Sequence, residues 1–120
     1  MSKILIVEDN ALNRALLLAV LKTQGFEILS AENGLQGLEL ARRELPDLIL
    51  MDVMLPGLNG YEATRRLKAE LLTRHIPIIA VTANAAPAER ERALDAGCDG
   101  YIAKPIDTRT LPGQVRLFLR

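Results

Sequence analysis

The sequence has no tryptophan, one cysteine, one histidine and no net charge, with 15 Lys and Arg against 15 Asp and Glu. A single thiol, Cys98, cannot close an internal disulfide, which suits a reducing compartment. Without a basic surplus the chain is a poor partner for nucleic-acid phosphates or anionic membrane surfaces. The longest apolar run, Ala15 to Leu21, has seven residues, whereas a membrane span needs about 20. Glu8, Asp9 and Asn10 interrupt the N-terminus before that run, so no secretory signal forms. These absences point to a soluble, cytoplasmic domain. His75 stands alone in a polar Thr-Arg-His loop, which reads as an exposed spacer because one histidine without ligand partners is not a metal site. Cys98 lacks a thiolate-stabilising motif and reads as a small packing residue.

What is present is an ordinary globular balance, 49% hydrophobic and 25% charged over 120 residues, enough for one domain spanning 1–120 with a single core. Short apolar runs recur at Lys3–Val7, Glu27–Ala31, Leu48–Met51, Ile76–Val81 and Gly100–Ala103. Several are continuous rather than alternating, as in parallel strands covered on both faces. Helical patterns lie between them. Leu12, Leu16, Ala19 and Val20 share one face; Leu35, Leu38, Ala41 and Leu45 another; Tyr61, Thr64, Leu67 and Leu71 a third. Asn33 and Asn59 occupy N-cap positions, and Gly25 and Gly97 sit where helices end. A fourth helix over about Pro87 to Ala96 is polar on most faces. In the last helix Asp107 is a candidate cap, but Pro112 and Gly113 fall a turn inside, so a broken first turn is expected before a segment carried by Leu111, Val115, Phe118 and Leu119. Strands alternating with helices predict an α/β fold: a flavodoxin-like, doubly wound five-stranded parallel sheet in the order 2-1-3-4-5.

In such sheets chemistry gathers beyond the carboxyl ends of the strands. There the sequence delivers Glu8, Asp9 and Asn10, then Asp52, then Thr82 with Ala83 and Asn84, then Lys104 and Pro105. Clustered carboxylates repel one another or recruit a cation. Oxygen ligands without histidine or cysteine suit a hard ion such as Mg²⁺, which takes one or two carboxylates, waters and a phosphate oxygen. An aspartate is a competent nucleophile toward phosphorus, and a lysine and a hydroxyl can hold phosphoryl oxygens. The set reads as phosphoryl transfer to an aspartate.

The runs Val7-Glu8-Asp9-Asn10, Leu50-Met51-Asp52-Val53-Met54-Leu55-Pro56-Gly57-Leu58-Asn59-Gly60, Val81-Thr82-Ala83-Asn84, Asp95-Ala96-Gly97-Cys98-Asp99-Gly100-Tyr101 and Lys104-Pro105 resemble the receiver domain of response regulators in two-component signalling. The likeness spans about residues 3 to 119. It implies Asp52 as phosphoacceptor, Asp9 as a direct Mg²⁺ ligand with Asp52, the Met54 backbone carbonyl as a further ligand, and Glu8 assisting directly or through water. It implies Mn²⁺ as a substitute ion, Thr82 and Lys104 on the phosphoryl group, Tyr101 as the aromatic that moves with Thr82, and a cis peptide between Lys104 and Pro105. Many members carry aspartate where this chain has Glu8. Met54 and Asn84 occupy places similar to those that tune phosphoryl lifetime in the family, and the small Ala83 leaves the site accessible. Implied partners are a sensor histidine kinase or histidine phosphotransfer protein and a downstream protein meeting the surface of the fourth helix, fifth strand and fifth helix. A homodimer through the last helix is compatible with the pattern. The domain would be a switch that assists its own phosphorylation and dephosphorylation rather than an enzyme.

Two other functions fit less well. An aspartate-nucleophile phosphatase would want a second aspartate two residues on, where Met54 stands. A flavin carrier would want a phosphate loop in place of Glu8-Asp9-Asn10 and more than 3% aromatics. The expected setting is a stand-alone receiver of the DivK type, the alternative a receiver excised from a hybrid kinase or larger regulator.

Overall fold

The computed structural model describes residues 2–55, 57–83 and 86–119. Pro56 and Asn84 lie outside the described residues. In chain order the elements are β1 Lys3–Val7, α1 Ala11–Lys22, β2 Glu27–Ala31, α2 Gly34–Glu44, β3 Leu48–Asp52, α3 Gly60–Ala69, β4 Ile78–Thr82, α4 Pro87–Ala96, β5 Gly100–Ala103 and α5 Leu111–Phe118. All strands pair in parallel in the order β2-β1-β3-β4-β5. This is the doubly wound sheet the sequence predicts. The central strands β3 and β4 are buried along their whole length, because helices cover both faces and every side chain must be apolar or satisfied. Two apolar layers result. One holds Leu5, Val7, Met51, Leu67 and Ala80; the other holds Ile4, Ile6, Leu17, Leu50 and Val115. No helix among the described residues is long and apolar enough to cross a membrane.

Side-chain caps start three helices. Asn10, Asn33 and Asn59 accept from the backbone N–H groups of Asn13, Gln36 and Glu62, each at 2.9 Å, satisfying donors with no partner inside the helix. Gly97 closes α4 in the left-handed region at φ 104°.

The expected helix faces need correction in three places. In α1 the buried residues are Leu17 and Leu21, while Leu12 and Leu16 point outward at 80% and 42% exposure. In α2 the buried residues are Gly34, Gly37, Leu38 and Ala41, and Leu35 and Leu45 are exposed. A Cβ on Gly34 would lie 2.4 Å from the Leu58 carbonyl oxygen and one on Gly37 2.9 Å from Val7. Bare backbone therefore seats this helix, which apolar periodicity cannot register. In α3, Tyr61, Thr64 and Leu67 are buried as expected, but Leu71 lies past the helix end and is exposed. β4 begins at Ile78, two residues after the expected start, because Pro77 has no N–H to pair. Before α5, Asp107 holds a separate turn: its side chain accepts from the N–H of Arg109 at 2.9 Å and its carbonyl from that of Leu111 at 3.0 Å. The helix proper starts at Leu111. Pro112 then falls in the first turn, where its missing N–H costs nothing.

Candidate functional site

β1, β3, β4 and β5 end at one edge of the sheet, and each contributes to the cluster there. Asp52, the last residue of β3, is 3% exposed. Its Oδ1 accepts from the Met54 N–H at 3.0 Å, and its Oδ2 accepts from Lys104 Nζ at 3.2 Å. Glu8, just past β1, is 1% exposed and its Oε2 accepts from the Asn10 N–H at 3.2 Å. Asp9 beside it is exposed. Carboxylate oxygens of Glu8, Asp9 and Asp52 lie within 4.8 Å of one another. Thr82 ends β4, buried at 4% exposure. Its carbonyl accepts from the Lys104 N–H at 2.7 Å, so β4 fixes the backbone from which Lys104 projects. The Lys104–Pro105 peptide is cis. Gly60, the first residue of α3, allows the helix to start against the Asp52 backbone: a Cβ there would lie 2.1 Å from the Asp52 carbonyl oxygen.

Among the described residues the three carboxyl groups outnumber the one ammonium, Lys104, which pairs with Glu8 and Asp52. Burial pushes the Glu8 carboxyl up to about 7, with the Asp52 carboxylate adding to the shift. Burial pulls the Lys104 ammonium down, but Glu8 and Asp52 together outweigh it and hold it above its ordinary range. Lys104 Nζ is 3.1 Å from Glu8 Oε1 and pairs with it as an ion, and among the described residues that buried oxygen has no well-formed hydrogen bond. A buried, unsatisfied acceptor, surplus negative charge and an all-oxygen donor set fit a hard divalent cation.

The Glu8 shift sets a pH dependence. Its folded value of about 7 lies above the ordinary 4.5, so between them the folded chain keeps a proton the unfolded chain has released. The contribution of Glu8 to stability is therefore present at low pH and lost as pH rises toward about 7. A cation binding that carboxylate competes with the same proton. Mg²⁺ affinity measured by calorimetry should rise as pH passes through about 7. An affinity flat across that window would contradict Glu8 as a participant in cation binding.

Tyr101 sits one strand further out. It is half-buried beside α4, with the Arg90 guanidinium 5.1 Å from its ring centre. Arg90, Leu94, Tyr101 and Phe118 line a cavity of about 270 Å³ there. Met54 is 76% exposed at the mouth of the site. His75 is exposed and Cys98 is buried at 6% exposure, its thiol 3.8 Å from Thr64 Oγ1. Burial pushes that thiol up, away from reactivity.

Two features were not found from sequence. The Tyr61 hydroxyl donates to Glu89 Oε2, while Arg92 pairs with Glu89 at 3.1 Å and lies 4.7 Å above the Tyr61 ring. These groups tie α3 to the first turn of α4 beside the site. Arg14 on α1 reaches back to the Glu8 carbonyl at 2.9 Å. Its place in the first turn is a usable signal, because helical side chains lean toward the N-terminus and cover the connection before them.

The chain is thus an α/β domain whose doubly wound sheet carries an acidic triad, a lysine and a threonine at its carboxyl edge. Residues 4–116 match the response regulator receiver domain family, and the chain belongs to it. It is 44% identical over 116 residues to the polar-differentiation response regulator DivK of Brucella anthropi, covering 97% of this chain and 94% of that one. It also resembles the receiver domain of a sensor histidine kinase from Pseudomonas aeruginosa PAO1, at 40% identity and TM-score 0.91 over 98% of this chain and 96% of that one. That structure has a magnesium ion coordinated in its active-site cleft. A chemotaxis protein of Vibrio cholerae superposes with TM-score 0.94 at 26% identity, over 99% of both chains.

Proposed function

We propose that this receiver domain accepts a phosphoryl group on Asp52 and works as a switch. The observation that carries the reading is a buried aspartate at the end of β3 with Lys104 Nζ at 3.2 Å and two further carboxylates within 4.8 Å. A phosphohistidine of a sensor kinase or phosphotransfer protein is the donor. An Asp52 carboxylate oxygen attacks phosphorus, the new P–O bond forms as the P–N bond breaks, and the imidazole leaves with that electron pair and takes up a proton. Lys104, already facing Asp52, pairs with the phosphoryl oxygens, and the Thr82 hydroxyl donates to another. Glu8, Asp9, Asp52 and the Met54 carbonyl would hold Mg²⁺, with Mn²⁺ as a substitute, supplying the charge neutralisation that lets an anionic donor approach an acidic site. Closure of Thr82 on the new anion then favours an inward Tyr101, altering the face of α4, β5 and α5 that a downstream protein meets. The likenesses to DivK and to a kinase-borne receiver support a free-standing and a kinase-attached setting alike, and a phosphohistidine donor is common to both.

The outward face of α1 fits the donor. Leu12 and Leu16 are exposed next to a cavity of about 410 Å³ lined by Leu16, Ala83, Lys104, Pro105 and Ile106. A partner that brings its histidine to Asp52 has to rest on this rim, and exposed leucines beside it offer apolar contact. Changing Leu12 and Leu16 together to serine should slow transfer from a phosphohistidine protein about tenfold, the equivalent of about 1.4 kcal/mol of docking energy. Uptake from acetyl phosphate should be unchanged. Equal loss with both donors would place the leucines in the chemistry rather than the docking. The reading itself is tested by intact mass after incubation with Mg²⁺ and acetyl phosphate. One phosphoryl group should appear on the wild type, and none on Asp52→Ala.

A further inference from the structure

We propose that Arg14 is a positioning residue for the cation site, a role that rests on the phosphoacceptor reading above. Nothing among the described residues hydrogen-bonds the Asp9 carboxylate, so its direction is set by the backbone that carries it. That backbone is the three-residue link Glu8-Asp9-Asn10 between β1 and α1. It is held at one end by the Glu8 N–H donating to the Ala31 carbonyl at 3.0 Å. At the other end Asn10 caps α1. Between them one side chain grips the link from outside. Arg14 Nη1 donates to the Glu8 carbonyl at 2.9 Å and reaches the Asp9 carbonyl at 3.5 Å. Its Nη2 is held in turn by Glu32 Oε1 at 3.3 Å. The Arg14 side chain is 18% exposed, so it is packed as well as bonded.

The same two residues whose carbonyls meet the guanidinium bring their carboxylate oxygens within 4.8 Å of those of Asp52. Nη1 alone meets both carbonyls while Nη2 holds Glu32, so the planar guanidinium ties the link to Glu32 through its two arms, a geometry a lysine ammonium does not have. Groups that orient cation ligands from behind typically change affinity by about 10- to 100-fold when removed. As a nearby positive charge, Arg14 opposes cation binding, and its removal would tighten it. As a clamp on the ligand loop, its removal loosens binding.

The test is Mg²⁺ titration by calorimetry on the full chain for wild type, Arg14→Lys, Arg14→Gln and Glu32→Gln, with melting followed by circular dichroism. Arg14→Lys and Arg14→Gln should both weaken Mg²⁺ binding by about tenfold, and Glu32→Gln should weaken it less. Phosphoryl uptake by Arg14→Lys should return to the wild-type rate at saturating Mg²⁺, since the chemistry itself is untouched. Unchanged or tighter Mg²⁺ binding in the two Arg14 variants, with or without a lower melting temperature, overturns the assignment and leaves Arg14 as a structural tie. A wild type that binds no Mg²⁺ overturns the phosphoacceptor reading, and the Arg14 role with it, so the two failures are distinguishable. If Arg14→Gln does not fold, Glu32→Gln and Arg14→Lys decide alone.

Discussion

Asp52→Asn is expected to abolish phosphoryl uptake from any donor while leaving the fold intact. The substitution preserves shape and removes the proposed nucleophile, a carboxylate buried beside Lys104. It also removes a carboxylate from a cluster of three. Glu8 then loses a neighbour that helps push it up to about 7, and its carboxyl should fall back toward the ordinary range. Lys104 keeps Glu8 as a partner at 3.1 Å. Relief of like-charge repulsion should therefore offset the lost Asp52–Lys104 pair, and the melting temperature in Mg²⁺-free buffer should stay level or rise. Mg²⁺ should no longer raise it appreciably, because binding to the folded state is what links ion concentration to stability. A clear fall in melting temperature without Mg²⁺ would mean that Asp52 serves mainly to hold the strand end.

Lys104→Ala should act in the opposite sense on the cation and in the same sense on the chemistry. Among the described residues Lys104 is the single ammonium facing both Glu8 and Asp52. Without it the buried carboxylates have no compensating charge, which costs stability at neutral pH. That loss should be reversed by Mg²⁺ or by acid, since either neutralises the carboxylates. Mg²⁺ binding should persist or tighten. Phosphoryl uptake should fall by about a hundredfold, the usual effect of deleting one group aimed at developing phosphoryl or oxyanion charge. Stopped uptake measurements at saturating Mg²⁺ read the last point. Loss of Mg²⁺ binding instead would show that Lys104 shapes the cation site rather than meeting the phosphoryl group.

The features legible in the sequence share a physical cause. β1, β2 and β5 have the bounds of their apolar runs because short runs of strand-forming residues between turn signals leave few other places to pair. Glu8, Asp52, Thr82 and Lys104 stand out because each is the first polar residue after such a run, and the structure brings all four together. The face of α1 was not legible, because Ala15 to Leu21 is apolar all round and carries no phase. What sets the phase is the short link to β1, which turns Arg14 back toward Glu8 and so sends Leu17 and Leu21 inward and Leu12 and Leu16 out. In α2 the contact face is built from Gly34 and Gly37, where absence of a side chain is the packing feature. The Tyr61–Glu89–Arg92 tie was invisible because its partners lie 28 residues apart and belong to no local pattern.

The central claim is that Asp52 carries the phosphoryl group, and the most direct measurement locates it chemically. After reaction with acetyl phosphate and Mg²⁺, an acyl phosphate is reduced by borohydride to an alcohol, converting aspartate to homoserine. Peptide mass mapping of the reduced chain should place homoserine at position 52 and nowhere else. Reduction at Glu8 or Asp9, or a phosphoryl group that survives borohydride on a serine, threonine or histidine, would contradict the account.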